Sequence, residues 1–163
     1  MTAVEFFTFD ADESDDRARV VAVMDDIATG PSGSGWLTLD PEFDERFPPP
    51  SQTTFGRLVS GRGPVVPRAT WVPADIERRR PEPMSVGVLH ATGARSVSRL
   101  ADDHGIEIPD RWRVAADHSK RGLVLYVPID VAHREVLDWT LRAAAALTRI
   151  PLTGHWRAAV HGA

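Results

Sequence analysis

Cysteine is absent from this 163-residue chain. That excludes disulfides, thiolate metal ligands and a cysteine nucleophile together, and it fits a reducing, cytoplasmic setting. Lysine is nearly absent too: Lys120 is the only one, while arginine is common. With so much Ala, Gly, Pro and Asp, this bias is what the codon usage of a GC-rich bacterium produces. No run of 18 apolar residues occurs, so no membrane-spanning helix is expected. Met1-Thr2-Ala3-Val4-Glu5 lacks the basic start and apolar stretch of a secretory signal. An excess of positive charge is missing as well. Nineteen Lys and Arg stand against 23 Asp and Glu, a net charge of −4, which disfavours nucleic acid and anionic membrane as partners. What remains is 42% apolar and 26% charged, an ordinary soluble composition, in a chain long enough to bury one sizeable core.

The second half carries the clearest pattern. Val86-Gly87-Val88-Leu89 is a short apolar run and reads as a buried strand. From Ala94 to His104, Val97, Leu100 and Ala101 recur at helical spacing, opposite Arg95, Arg99, Asp102 and Asp103. Gly105 is a helix terminator. Trp112, Val114 and Ala116 then alternate with Arg111, Arg113, Ala115 and Asp117, as in a strand with one wet face. His118 to Gly122 is a polar turn of hairpin length. Leu123 to Val127 is continuously apolar, which predicts a strand buried on both faces. Asp130 stands where a helix N-cap belongs. The helix after it, to about Arg149, buries Val136, Thr140, Ala143, Ala144 and Leu147. His155 to His161 alternates again around Trp156, Ala158 and Val160.

Strand–helix–strand–strand–helix–strand is the order of a ferredoxin-like, split-βαβ sheet. In that arrangement the first and third strands are central and the fourth lies beside the first. The two polar, alternating strands then fall at the edges. The expected fold class is α+β. It has a ferredoxin-like (βαββαβ) antiparallel core over residues 84–163. An N-terminal βαβ extension covers residues 1–40, and a long Pro/Gly-rich loop and linker covers 41–83, all in one domain.

In the extension, Val4–Phe9 reads as a strand, the acidic run Asp10–Asp16 leads into a helix stopped by Gly30, and Trp36–Leu39 is a short strand. The acids suit the positive end of the helix dipole. Residues 41–67 hold Pro48-Pro49-Pro50 with Phe43, Phe47 and Phe55. A loop this long is usually a binding flap or an arm, and its phenylalanines need apolar cover. Arg68–Ala74 is a further candidate strand.

Chemistry is thinly signalled. His90-Ala91-Thr92, after a buried strand, resembles one half of the paired His-any-Thr/Ser motif of 2H phosphoesterases. Those enzymes use one histidine as base and another as acid. The second copy is missing; His155-Trp156-Arg157 and His161-Gly162-Ala163 offer a histidine without the hydroxyl. The catalytic candidates are therefore His90, Thr92, His155 and His161. Asp117-His118-Ser119 has the residue types of a hydrolytic triad, but neighbours in a strand point apart, so it reads as a turn. Asp110–Lys120, with Arg111, Arg113 and Lys120, could instead be the recognition helix of a winged helix-turn-helix. Phe43, Phe47, Phe55, Trp112 and Trp156 are candidate contacts for a ligand or partner. No motif calls for a cofactor or metal.

The expected function is accordingly a non-catalytic ligand- or protein-binding module. Its partner would be a small molecule or a protein, with edge-strand pairing into a homodimer a further expectation. A His90-centred phosphoesterase-like hydrolase and a DNA-binding winged helix are the alternatives.

Overall fold

The structure, a computed structural model, describes residues 4–30, 35–47, 64–76, 79, 81–119 and 121–162. In chain order it contains β1 (Val4–Asp10), α1 (Ser14–Thr29), β2 (Trp36–Phe43), β3 (Arg68–Val72), β4 (Met84–Leu89), α2 (Ser96–His104), β5 (Arg113–His118), β6 (Gly122–Val127), α3 (His133–Ala146) and β7 (Leu152–His161). The strands form one antiparallel sheet in the order β1-β7-β2-β3-β4-β6-β5. Among the described residues, no helix is long and apolar enough to cross a membrane.

The fold is α+β, and its C-terminal half keeps the expected β4–β6–β5 order. The closing pair differs. β7 does not lie beside β4; β2 and β3 stand between them. Both strands of the N-terminal segment therefore belong to the same sheet, β2 in its interior and β1 at its edge. Chain connectivity explains this. β3 and β4 are joined by a short connection, and sequential strands so linked usually pair, which takes the edge of β4 that β7 would have used. α3 must then carry the chain from β6 to β7, four strand spacings, about 19 Å. Its 14 residues provide about 21 Å of rise.

β7 also corrects the expected edge position, since it lies between β1 and β2. Its alternation is real, with Trp156 and Ala158 buried and His155 and Arg157 exposed. That pattern signals one wet face, which an interior strand of an open sheet has as much as an edge strand does. β1 and β2 run parallel on either side of β7, so β1–α1–β2 is a split βαβ unit. β4–α2–β5 is a second one around β6.

One face of the sheet carries the core. Phe9, Leu37, Leu39, Trp71, Met84, Val86, Val88, Leu123, Leu125, Val127 and Trp156 pack there under the helices. α3 is central, in contact with α1, α2, β3 and β4. The stripe read from its sequence is buried, and Leu137, Trp139 and Leu141 join it because neighbouring helices flank it on both sides. Asp130 is not its N-cap. The helix starts at His133, with Ala132 at the cap, and Asp130 instead makes a two-pronged pair with Arg111 at 2.7 and 2.9 Å. The acidic run closes the β1–α1 turn: Asp16 accepts the Asp10 N–H at 2.7 Å, and Asp10 accepts the Asp12 N–H at 2.8 Å. Of the expected flap, residues 41–43 belong to β2, while Pro48-Pro49-Pro50 and Phe55 lie outside the described residues.

Candidate functional site

His90 follows β4 directly and is completely buried. Its ring joins a chain of hydrogen bonds. Thr92 N–H and Oγ1 approach Nδ1 at 3.3 and 2.8 Å, and Ser96 Oγ lies 2.8 Å from Nε2. Ser96 Oγ in turn donates to Asp117 Oδ1 at 2.8 Å. The backbone N–H of Thr92 can only donate, so Nδ1 is an acceptor and the ring proton sits on Nε2. Nε2–H then donates to Ser96 Oγ, whose own proton goes to Asp117. Every donor is used once and the chain ends on a carboxylate.

Asp117 also accepts the backbone N–H groups of Ser96 at 3.0 Å and Val97 at 3.2 Å. These are orphan donors of the first turn of α2. Arg95, at the cap position, makes no side-chain cap bond and adopts a left-handed conformation with φ 69°. Asp117 therefore caps α2 from another strand, where its charge also meets the helix dipole favourably. A bulge in β5 makes this possible. The register slips between Val114 and Ala116, so Ala116 turns to the outer face and Asp117 to the inner one. Without the extra residue, strict alternation would point Asp117 to solvent.

Burial of His90 lowers its pKa below the ordinary value of 6.5; Asp117 works against this and Arg99 works with it. The folded state thus prefers the neutral ring. Stability from this preference is fully present above the unfolded pKa of about 6.5 and is lost as pH falls below it. Urea unfolding between pH 7.5 and 5 is expected to show falling stability in the wild type, and the His90 part of that slope is expected to vanish in His90→Gln. Identical slopes in the two proteins would contradict the assignment.

His90 and Ser96, at the centre of this network, are both fully buried. His155 and His161 sit on β7, with β2 and β3 between them and β4. His155 Nδ1 lies 3.6 Å from Asp10. His161 stacks on Trp36 with ring centroids 4.8 Å apart and planes 4° apart, and its Nε2 is 3.1 Å from Thr38 Oγ1. The geometry brings His90 and Thr92 together, and it does not bring either of the other histidines to them. An acid–base pair of His90 with His155 or His161 is therefore not assembled. The recognition helix of the winged-helix alternative is likewise not formed, because Arg113–His118 is strand β5.

Two of the expected contact residues are core residues. Trp112 is 6% and Trp156 2% exposed. Trp112 packs on Trp139 at 5.3 Å and Trp156 on Phe9 at 6.4 Å. Both lie on the helix-covered face, which alternation alone could not distinguish from the open one. Phe43 is half-buried and Phe47 exposed; Phe55 lies outside the described residues.

Among the described residues the opposite face of the sheet carries no helix, and here the sequence reading missed the main feature. Leu123–Val127 does not lie buried on both faces: Tyr126 is exposed. Register places Tyr126 beside Ser85 and Arg113, and Val72 beside Ser85. Trp36 and Val4 both flank His161. Val4, Trp36, Val72 and Tyr126 thus lie in one row across the sheet, all exposed, with Phe6 62% exposed in the next row. A third row is ionic: Asp40 lies between Arg68 and Arg157, at 2.7 and 3.4 Å. Strong hydrogen bonding to Asp40 raises the pKa of Arg68 above its ordinary value. The signal for this face was present in strands apolar at both parities, such as Val4–Phe9. No protein-family profile, curated protein or solved structure matches this chain.

Proposed function

We propose that this protein is a non-catalytic binding module whose open sheet face docks a protein partner through an apolar surface. The observation that carries the reading is the row of exposed Val4, Trp36, Val72 and Tyr126, with Phe6 beside it, on the face that none of the described helices covers. Contiguous exposed apolar groups of this kind mark interaction sites on soluble proteins. Seven strands at about 4.8 Å spacing span about 30 Å. A face of that width is on the scale of the roughly 800 Å² that each side contributes to a standard interface. It is an open surface, whereas small ligands bind in concave sites. The aromatic rings would act as anchors, and the Arg68–Asp40–Arg157 row would form a polar rim.

The test places a photoreactive phenylalanine analogue at position 70 on the open face and, as control, at the exposed position 134 of α3. Irradiation in the native host is expected to give a discrete adduct from position 70 alone. Trp36→Ser with Val72→Ser should reduce its yield at least about tenfold, as loss of a hot-spot pair does, with the unfolding midpoint little changed. Adducts formed equally from both positions, or unaffected by the double substitution, would sink the proposal.

A further inference from the structure

The two edges of the sheet are built differently. β5 is bulged between Val114 and Ala116 and carries an exposed arginine, Arg113. Bulges and edge charges are the usual protection against strand addition. β1 has neither a bulge nor a proline, and its seven residues, Val4–Asp10, pair with β7 in unbroken register. Its sequence, Val-Glu-Phe-Phe-Thr-Phe-Asp, is rich in phenylalanine and carries charge only at Glu5 and at its last residue, Asp10. Such an edge presents a row of unpaired backbone donors and acceptors to whatever strand arrives.

The helix side of the same edge is also incomplete. A cavity of about 580 Å³ opens between β1 and α1, floored by Phe7, Val23, Ile27 and Val160, with Glu5 and Arg19 at its rim. The Arg19 guanidinium sits 4.5 Å above the Phe7 ring. Among the described residues, neither Arg19 nor Glu5 has an ion-pair partner. They lie on the same face of the same edge, one of each sign.

We infer that two copies of this chain pair β1 against β1, antiparallel, about a two-fold axis at Phe7, joining their sheets into one. In this register Phe7 faces Phe7 of the second copy, and Glu5 faces Phe9 of the second copy. Diagonal neighbours on one face come within side-chain reach. Arg19, held over Phe7, therefore meets Glu5 of the second copy, and the symmetry makes this contact twice. A two-fold interface needs such self-complementarity, and a single strand supplies it here: opposite charges at matched distances from the axis, and an apolar cavity on each side to be covered. The interface shares the β1 residues Val4 and Phe6 with the open face, but Trp36, Val72 and Tyr126 take no part in it, so the charge reversals at Glu5 and Arg19 test it separately.

Light scattering and sedimentation of the full chain test this. The wild type is expected to run at twice 17.9 kDa. Glu5→Arg and Arg19→Glu, each on its own, should weaken association at least about tenfold by placing like charges in contact. The double variant E5R/R19E, with the charges exchanged, should recover most of it. Far-UV circular dichroism checks that each variant folds; Phe6→Lys, at an exposed position, is a second disruptive variant of the same edge. A chain that remains at 17.9 kDa up to ~100 µM, within the affinity range of weak complexes, overturns the proposal. So does a dimer indifferent to both single charge reversals, or a double exchange that restores nothing.

Discussion

Gly122→Ala is expected to cost more than about 4 kcal/mol, the range reserved for severe backbone or core conflicts. A typical domain has only about 5–15 kcal/mol to lose, so most of the variant chain would be unfolded or insoluble at 37 °C. Gly122 opens β6 with φ +74°, a conformation that costs an L-residue roughly 1 kcal/mol or more. The larger part is steric. A Cβ at this position would press into the Val88 carbonyl oxygen and come within 2.9 Å of Leu89 Cα. These are backbone atoms of β4 and cannot swing away as a side chain would. Relief requires β4 and β6 to separate where Val88 pairs with Leu123, in the middle of the core. Gly87→Ala is the control: its Cβ would have nothing within 4 Å, and its stability should change by less than about 1 kcal/mol. Urea unfolding of the two variants decides the matter, and similar midpoints would refute the close-approach argument.

Asp117→Ala is expected to destabilise the protein by about 3 kcal/mol, combining a lost helix cap of ~1 kcal/mol with buried donors left unpaired. The Ser96 and Val97 N–H groups and the Ser96 hydroxyl all lose their acceptor at once. The Ser96 hydroxyl is fully buried, so water does not replace the carboxylate without opening the site. Asp117→Asn keeps an acceptor oxygen but loses the charge that suits the helix N-terminus, and it should cost about half as much. Hydrogen exchange gives a local reading: amides of α2 should lose protection in Asp117→Ala before those of α3 do. An Asp117→Ala protein within about 0.5 kcal/mol of wild type, the range of an ordinary surface change, would show that α2 does not depend on this residue.

These two sites illustrate how far residues alone could be read. The turn at His118–Gly122 was legible, since a glycine ends a short polar segment between two strands. That Gly122 also touches β4 was not legible, because the contact joins segments more than thirty positions apart. Asp117 was legible as part of a strand but was assigned to the wrong face. One inserted residue reverses the parity of everything after it, and nothing local in Val114-Ala115-Ala116 marks the bulge. Ser96 stood at the start of a helical pattern with nothing to connect it to His90. Trp112 and Trp156 sat at alternating positions in strands, as Trp36 does. Local sequence could not say which face each ring would take relative to the helices.

Local chemistry determined a good deal on its own. Periods of 2 and 3.6 residues placed most of the described strands and the three described helices, because side-chain direction repeats with backbone geometry. Gly30 and Gly105 marked two helix ends, and the apolar stripe of α3 marked the helix that lies deepest. Tertiary structure decided which strands are neighbours, which sheet face stays open, and where His90 sits. Those outcomes depend on competition among distant segments for the same edge. Strands β2 and β3 took the place beside β4 that β7 would otherwise fill, and the three described helices all settled on one side. Strand pairing is a long-range choice, paid in loop closure and recovered in burial, and no single segment contains the terms that settle it.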